Sequence, residues 1–318
     1  MKPYPLLFKP SFKERIWGGA KLKKIFNCNS IEGNIGEAWV ISDHPNGKSI
    51  ITNGKFTGKT LNDLLKICPE WFCSLHIRNF PILVKLLDSN EDLSVQVHPD
   101  DEYAVRNEGG ESGKTECWYI IESEPCAEII FGHRAKNKKE FIYFSHEDKW
   151  DELLVRIPVQ PGDFFFIPSG TVHAIGKGIV LLEVQQNSDL TYRIYDYNRI
   201  GLEGKKRDLH LEKALDVINF NPSINNRELC AASNIGFKTI LASCNHFTVE
   251  KWLIKESCDL NSLDVFLLIC IVNGEGELLY EDNALTLTMG SSIMIPANMG
   301  RYQIKGDIEA IVCYVNKY

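Results

Sequence analysis

Hydrophobic residues recur along this chain in short runs rather than in long helical stripes. Runs such as Phe164-Phe165-Phe166-Ile167 and Leu267-Leu268-Ile269-Cys270-Ile271 alternate with clusters of Gly, Pro, Asn and Asp. That punctuation marks strands joined by turns. Only three segments carry a helical signal. Leu61, Leu64 and Leu65 follow Thr60, with Pro69 just beyond, so the spacing predicts a helix over 61–67 opened by a threonine cap. Residues 138–154 are charged, carry Phe141, Phe144 and Trp150, and read as one or two helices. Leu211, Ala214, Leu215 and Ile218 form one stripe, which predicts a helix over 209–220 capped by Asp208. Few helices against many strands predict a mainly β protein, a sandwich or barrel with helical decorations.

A pattern repeats. Gly162 to Pro168 encloses an apolar strand, and His173 stands five residues after the proline. Gly290 to Pro296 encloses another, and Arg301 stands five residues after its proline. The glycines are 128 residues apart (162 to 290), consistent with an internal duplication. Upstream, Glu116-Cys117-Trp118-Tyr119 pairs by character with Asp264-Val265-Phe266-Leu267 at an offset of 148. The longer spacing in the first copy makes the charged 138–154 segment an expected insertion. A polar, turn-forming stretch over 220–226 predicts a boundary, dividing the chain into 1–222 and 223–318.

At 318 residues the chain is long enough for about two domains. Its net charge of −7 lacks the basic excess of nucleic-acid binders. No run of 18 apolar residues exists, and Met1-Lys2-Pro3-Tyr4-Pro5 lacks the apolar stretch of a secretory signal. No membrane span is expected. None of the ten cysteines has CxxC spacing, and several sit in apolar runs. They read as buried free thiols of a cytoplasmic protein.

Candidate chemistry gathers in three places. As a strand, Leu93 to His98 sets Ser94, Gln96 and His98 on one face and Val95 and Val97 on the other. Likewise Lys114, Glu116 and Trp118 share a face. His173 follows Pro168-Ser169-Gly170-Thr171-Val172, where a new strand begins. Singly these are a solvated strand, an exposed ion pair and a structural histidine. Together His98, Glu116 and His173 form a donor set suited to Zn(II), and also to Fe(II), Mn(II) or Co(II). Gln96 offers a neutral oxygen as a fourth ligand.

These elements, with Arg15-Ile16-Trp17-Gly18-Gly19, Gly36-Glu37-Ala38-Trp39-Val40-Ile41-Ser42 and Leu190 to Tyr197, resemble the zinc-dependent type I mannose-6-phosphate isomerases in their short bacterial form. The resemblance covers roughly residues 10–220. The C-terminal third agrees only in general character. What it implies is a fold of two cupin (jelly-roll) barrels, with helical insertions in the first. It maps one Zn2+ onto His98, Glu116, His173 and Gln96. Thr115 replaces the family's usual proline but should point away from the cavity. Arg301 in place of His173 implies no metal in the second barrel. The implied reaction interconverts mannose 6-phosphate and fructose 6-phosphate through an enediol. By the same carry-over Arg193, Lys85, Ser94 and Lys114 are cavity residues for the sugar phosphate, with Arg193 and Lys114 catalytic. Glu183 is the first candidate for the base, its alternative being an ion pair with Arg193. A different cupin enzyme, such as an Fe(II) oxygenase, or a non-catalytic sugar-phosphate binder are the rival readings.

Overall fold

The computed structural model describes residues 1–72, 77, 79–201, 203–221 and 234–316. Among these residues the strands form three sheets. One has six strands, in the order Phe164–Ile167, Glu116–Ser123, Ile179–Gln186, Ile82–Ser89, Ser11–Gly19 and Ile35–Ile41. A five-stranded sheet runs Tyr192–Tyr195, Val95–Val97, His173–Ile175, Glu128–His133 and Leu154–Pro158. Neighbouring strands in both are antiparallel. Leu87, Trp118, Ile120 and Leu181 from the first sheet pack with Ile129, Phe131 and Ile175 from the second. Two antiparallel sheets closed on one apolar filling make the first jelly-roll barrel.

The third sheet builds the second barrel, around Arg301–Tyr314 and Leu267–Tyr280. Its interior is filled by residues such as Trp252, Leu267, Ile269, Ile293 and Ile304. Strand alternation then joins the barrels back to back. Lys85 and Leu87 point into the first barrel, while Val84 and Leu86 point out of it. Leu182 and Val184 likewise point out, against Leu268, Cys270, Met294 and Cys313 of the second sheet. With a period of two, each strand at this junction turns an apolar row to the second barrel and a mixed row, apolar at Leu87 and charged at Lys85 and Glu183, into the first. The N-terminal strand Leu6–Lys9 also pairs with Ser292–Ile295, so the first residues belong to the sheet of the C-terminal part. Residues 222–226 of the expected boundary lie outside the described residues.

The helix over Leu61–Ile67 forms as expected. Thr60 accepts from the Asp63 backbone N–H, and the Asp63 carboxylate accepts in turn from Thr60. The 138–154 segment becomes two helices, Lys138–His146 and Trp150–Leu153. They sit between the paired strands Glu128–His133 and Leu154–Pro158, as an insertion should. The third helix is shorter than its stripe, Leu211–Val217, and Asp208 does not cap it. The backbone explains this. The Asp208 carbonyl accepts from Arg193, and the His210 N–H donates to the Arg193 carbonyl, which holds 208–210 against a strand. A further helix, Asp101–Asn107, is capped by Asp100 and passed unnoticed in the sequence.

The duplication is visible in register. Ile167 lies opposite Glu116, and its counterpart Ile295 lies opposite Leu267. Glu116 therefore corresponds to Leu267, three residues beyond the Asp264 match drawn from sequence. An apolar run gives no internal mark of register, so the earlier alignment slipped. Leu267 offers no ligand atom, and Arg301 is exposed at the start of its strand.

Candidate active site

The first barrel brings its donors together from opposite sheets. Glu116 opens a strand of the six-stranded sheet, whereas His173 opens a strand of the five-stranded sheet and His98 immediately follows a neighbouring one, Val95–Val97. His173 Nε2 lies 3.3 Å from Glu116 Oε1, and His98 Nε2 lies 3.5 Å from Glu116 Oε2. The two imidazole centroids are 4.8 Å apart. All three residues are buried, and among the described residues no other group of His, Cys, Asp and Glu is arranged to hold a metal.

The electrostatics suit a cation. Burial drives the His98 pKa well below the usual histidine range, and the Lys114 charge adds to this. Burial likewise lowers His173 to about 4. Both rings are therefore neutral at pH 7, the form that ligates. His173 Nδ1 sits 2.9 Å from the Thr171 carbonyl, which places its proton there and leaves a lone pair on Nε2. Burial, then the charge of Glu183, raises Glu116 to about 7 against the pull of Lys114. His173 Nε2 and Glu116 Oε1 are buried without a hydrogen-bond partner. Such orphaned acceptors are costly unless something positive completes them. The residues fit a divalent metal.

Lys114 stands at the edge of this group. Its Nζ is 2.8 Å from Glu116 Oε2 and 3.1 Å from His98 Nε2. Burial opposes its charge, but Glu116 and Glu183 outweigh that and raise its pKa. It is a permanent ammonium. On the neighbouring strands Glu183 faces Lys85 in register, with Nζ to Oε1 at 3.2 Å. The Trp118 indole donates to Glu183 Oε2 at 3.0 Å. Burial pushes the Glu183 pKa up, but Lys85 and then Lys114 more than reverse it, so the carboxylate stays ionised. Its ion-pair partner is thus Lys85 and not Arg193.

Arg193 belongs to the other wall. Its Nε donates to Ser94 Oγ at 3.3 Å and its Nη1 to the Asp208 carbonyl at 2.9 Å. Gln96 lies in register between His173 on one side and Arg193 on the other. A cavity of about 680 Å³ is lined by Lys85, Ser94, Gln96, Lys114, Glu183 and Arg193, with the His98–Glu116–His173 group behind it. A larger cavity of about 910 Å³, between the barrels, holds none of the residues picked from the sequence.

Sequence reasoning assigned no role to Glu37 and its partners. Glu37 accepts from Arg15 Nε and Nη2, both at 3.1 Å, and from the Trp39 indole at 2.7 Å. The Trp39 ring in turn lies under Lys85 Nζ, 5.0 Å from its centroid. The signal was present as Glu37-Ala38-Trp39, an i, i+2 pair on one strand face.

Two back-to-back jelly rolls, with a buried His–carboxylate–His group beside a polar cavity in the first and no such group among the described residues of the second, define a metal-binding cupin. Residues 6–128 match the family described as phosphomannose isomerase type I, catalytic domain. Residues 237–315 match mannose-6-phosphate isomerase, cupin domain. The mannose-6-phosphate isomerase ManA of Bacillus subtilis is 46% identical over 317 residues, covering 99% of this chain and 100% of that protein. Its counterpart from Streptococcus mutans is 42% identical, covering 98% of this chain and 99% of that protein. A crystal structure of a Bacillus subtilis mannose 6-phosphate isomerase superposes with a TM-score of 0.93 at 41% identity, over 98% of this chain and 99% of that one. This chain belongs to the type I mannose-6-phosphate isomerase family. No described helix is long and apolar enough to cross a membrane.

Proposed function

We propose that this chain is a zinc-dependent isomerase of mannose 6-phosphate and fructose 6-phosphate, with its chemistry in the first barrel. His98, Glu116 and His173 would hold the zinc, with Gln96 as the further ligand. When bound, such a cation supplies Lewis-acid stabilisation of the oxyanion that develops at a sugar oxygen. The division at residue 222 then separates a catalytic part, 1–222, from a C-terminal barrel, 223–318.

The observation that carries the reading is the placement of Glu183. Isomerisation removes a proton from C2 of the open-chain sugar and returns one to C1. That calls for a positioned general base, a role an ionised carboxylate can fill. Glu183 is 3% exposed, and Lys85 and the Trp118 N–H hold it ionised. Lys85 steadies that carboxylate and is a contact for the substrate. Lys114, always charged, donates to the oxygen beside the carbon that gains or loses the proton. Arg193 and Ser94 form the opposite wall and receive the far end of the sugar phosphate, where a planar five-donor guanidinium suits phosphate oxygens. Arg15, Lys205 and Lys206 add positive charge to the same cavity.

A coupled assay for fructose 6-phosphate, run on one sample before and after chelation with metal analysis alongside, tests this. The expected result is turnover that chelation abolishes and zinc restores, at one zinc per chain. A folded, zinc-loaded chain that binds mannose 6-phosphate without forming product would be a sugar-phosphate binder instead.

A further inference from the structure

The strand that carries Arg193 ends in Tyr195, and Asp196 follows it. Asp196 has no role in the site so far, yet it is 5% exposed and carries three charge-assisted hydrogen bonds. Its Oδ1 accepts from Arg199 Nη2 at 2.6 Å and from Arg207 Nη2, and its Oδ2 accepts from Arg207 Nε at 2.8 Å. The grip on Arg207 is bidentate, the geometry with the most directional control.

The next residue after Arg207 is Asp208, whose carbonyl accepts from Arg193 Nη1. The other clamped arginine reaches back to the same wall. Arg199 Nη1 donates to the Asp92 carbonyl, two residues before Ser94, and Ser94 Oγ accepts from Arg193 Nε. Both protein acceptors of the Arg193 guanidinium are thus attached, through an arginine, to one carboxylate. A guanidinium has five donors, and these two bonds engage one on each of two nitrogens. The rest stay available only while the acceptors keep their places.

We infer that Asp196 is a positioning residue, whose clamp on Arg199 and Arg207 fixes the Asp208 carbonyl and the Asp92–Ser94 segment and so aims the Arg193 guanidinium into the cavity. The inference rests on the isomerase reading, since Arg193 is there a substrate contact. Asp196 touches no substrate. It also offsets charge: without it, Arg199 and Arg207 would stand near Arg193 as two more uncompensated cations. An asparagine there keeps the shape but loses the charge and presents N–H groups to one of the forks.

A double-mutant cycle tests the inference, with Asp196→Asn, Arg193→Lys and the pair measured as zinc-loaded protein well below each melting temperature. Asp196→Asn alone should lower kcat/KM for mannose 6-phosphate by about 30-fold, mostly through KM, with zinc content unchanged. In the Arg193→Lys background the same change should cost less than about threefold, because the group it positions is already gone. Equal losses in both backgrounds would overturn the inference, as would a variant that only melts earlier and keeps wild-type kcat/KM. Arg207→Gln, which cuts the same chain at a residue whose side chain is 23% exposed, is the second variant and should give the same dependence on Arg193 if Asp196→Asn fails to fold. The wild type in the same assay keeps the two ideas apart: absence of turnover there defeats the isomerase reading, whereas additive losses beside an active wild type defeat only the role of Asp196.

Discussion

Glu183 and Lys85 face each other across adjacent antiparallel strands, and their charged ends meet at 3.2 Å inside the first barrel. The pair is 4–5% exposed by side chain. An isolated charge at such depth would be too costly to keep. Each makes the other tolerable, and the carboxylate remains ionised.

Replacing Glu183 by Gln should lower kcat by about two to four orders of magnitude, the range of positioned acid–base catalysis. It should also lower the melting temperature, since Lys85 would be left buried and unpaired. Steady-state kinetics and thermal melts on the same preparation check both. Near-normal turnover would remove Glu183 from the role of base.

Gln96 lies in the same row as His173 and Arg193. If it ligates zinc, Gln96→Ala should weaken zinc retention by about tenfold, whereas His173→Ala, at a buried donor, should lose far more. Competition with a chromophoric chelator measures both. An unchanged affinity in Gln96→Ala would leave the other three as the protein's ligand set.

Glu37 should make stability sensitive to acid. Its burial favours protonation, but Lys85 and then Arg15 outweigh that, and the carboxyl is lowered from 4.5 to about 2. A depressed carboxyl pKa stabilises the fold above its unfolded value, and the contribution is lost as pH falls through the folded one. That contribution is on the order of 3 kcal/mol. Urea unfolding of wild type and Glu37→Gln should differ most near neutrality, and the difference should shrink between pH 4.5 and pH 2. A gap independent of pH over that window would contradict the assignment.

Thr60→Ala should cost about 1 kcal/mol, the usual price of a lost helix cap. Neither residue of the capping box it breaks lines the 680 Å³ cavity. Turnover per bound zinc should therefore stay at the wild-type value while the melting temperature falls.

Much of this was legible beforehand for a local reason. Alternation on one strand put Ser94, Gln96 and His98 together, and Lys114, Glu116 and Trp118 together, because a strand has a period of two whatever surrounds it. The Thr60 cap was equally local, and the insertion at 138–154 came from comparing the spacing of the two copies. Failures came where a distant partner decided. Asp208 looked like a helix cap, but Arg193 takes its carbonyl and holds the chain extended. The Glu116 match in the second copy slipped by three residues, because pairing with Ile167 and Ile295 sets register and an apolar run does not. The ion pair considered for Glu183 named the wrong cation, since the strand register places Lys85 opposite it.

By itself, then, the order of residues determined the mainly β class, the duplicated strand pattern, and the candidate side chains for the chemistry. Each of these depends on spacing along one chain segment. Only the tertiary structure decided that Glu116 would reach across from one sheet to His98 and His173 on the other, that Lys85 would hold Glu183, and that Asp196 would govern Arg193 through its neighbours. The first two of these relations join residues from 18 to 98 positions apart in the sequence. They come from burying both faces of the shared sheets, which sets every register at once and leaves no single segment to reveal it.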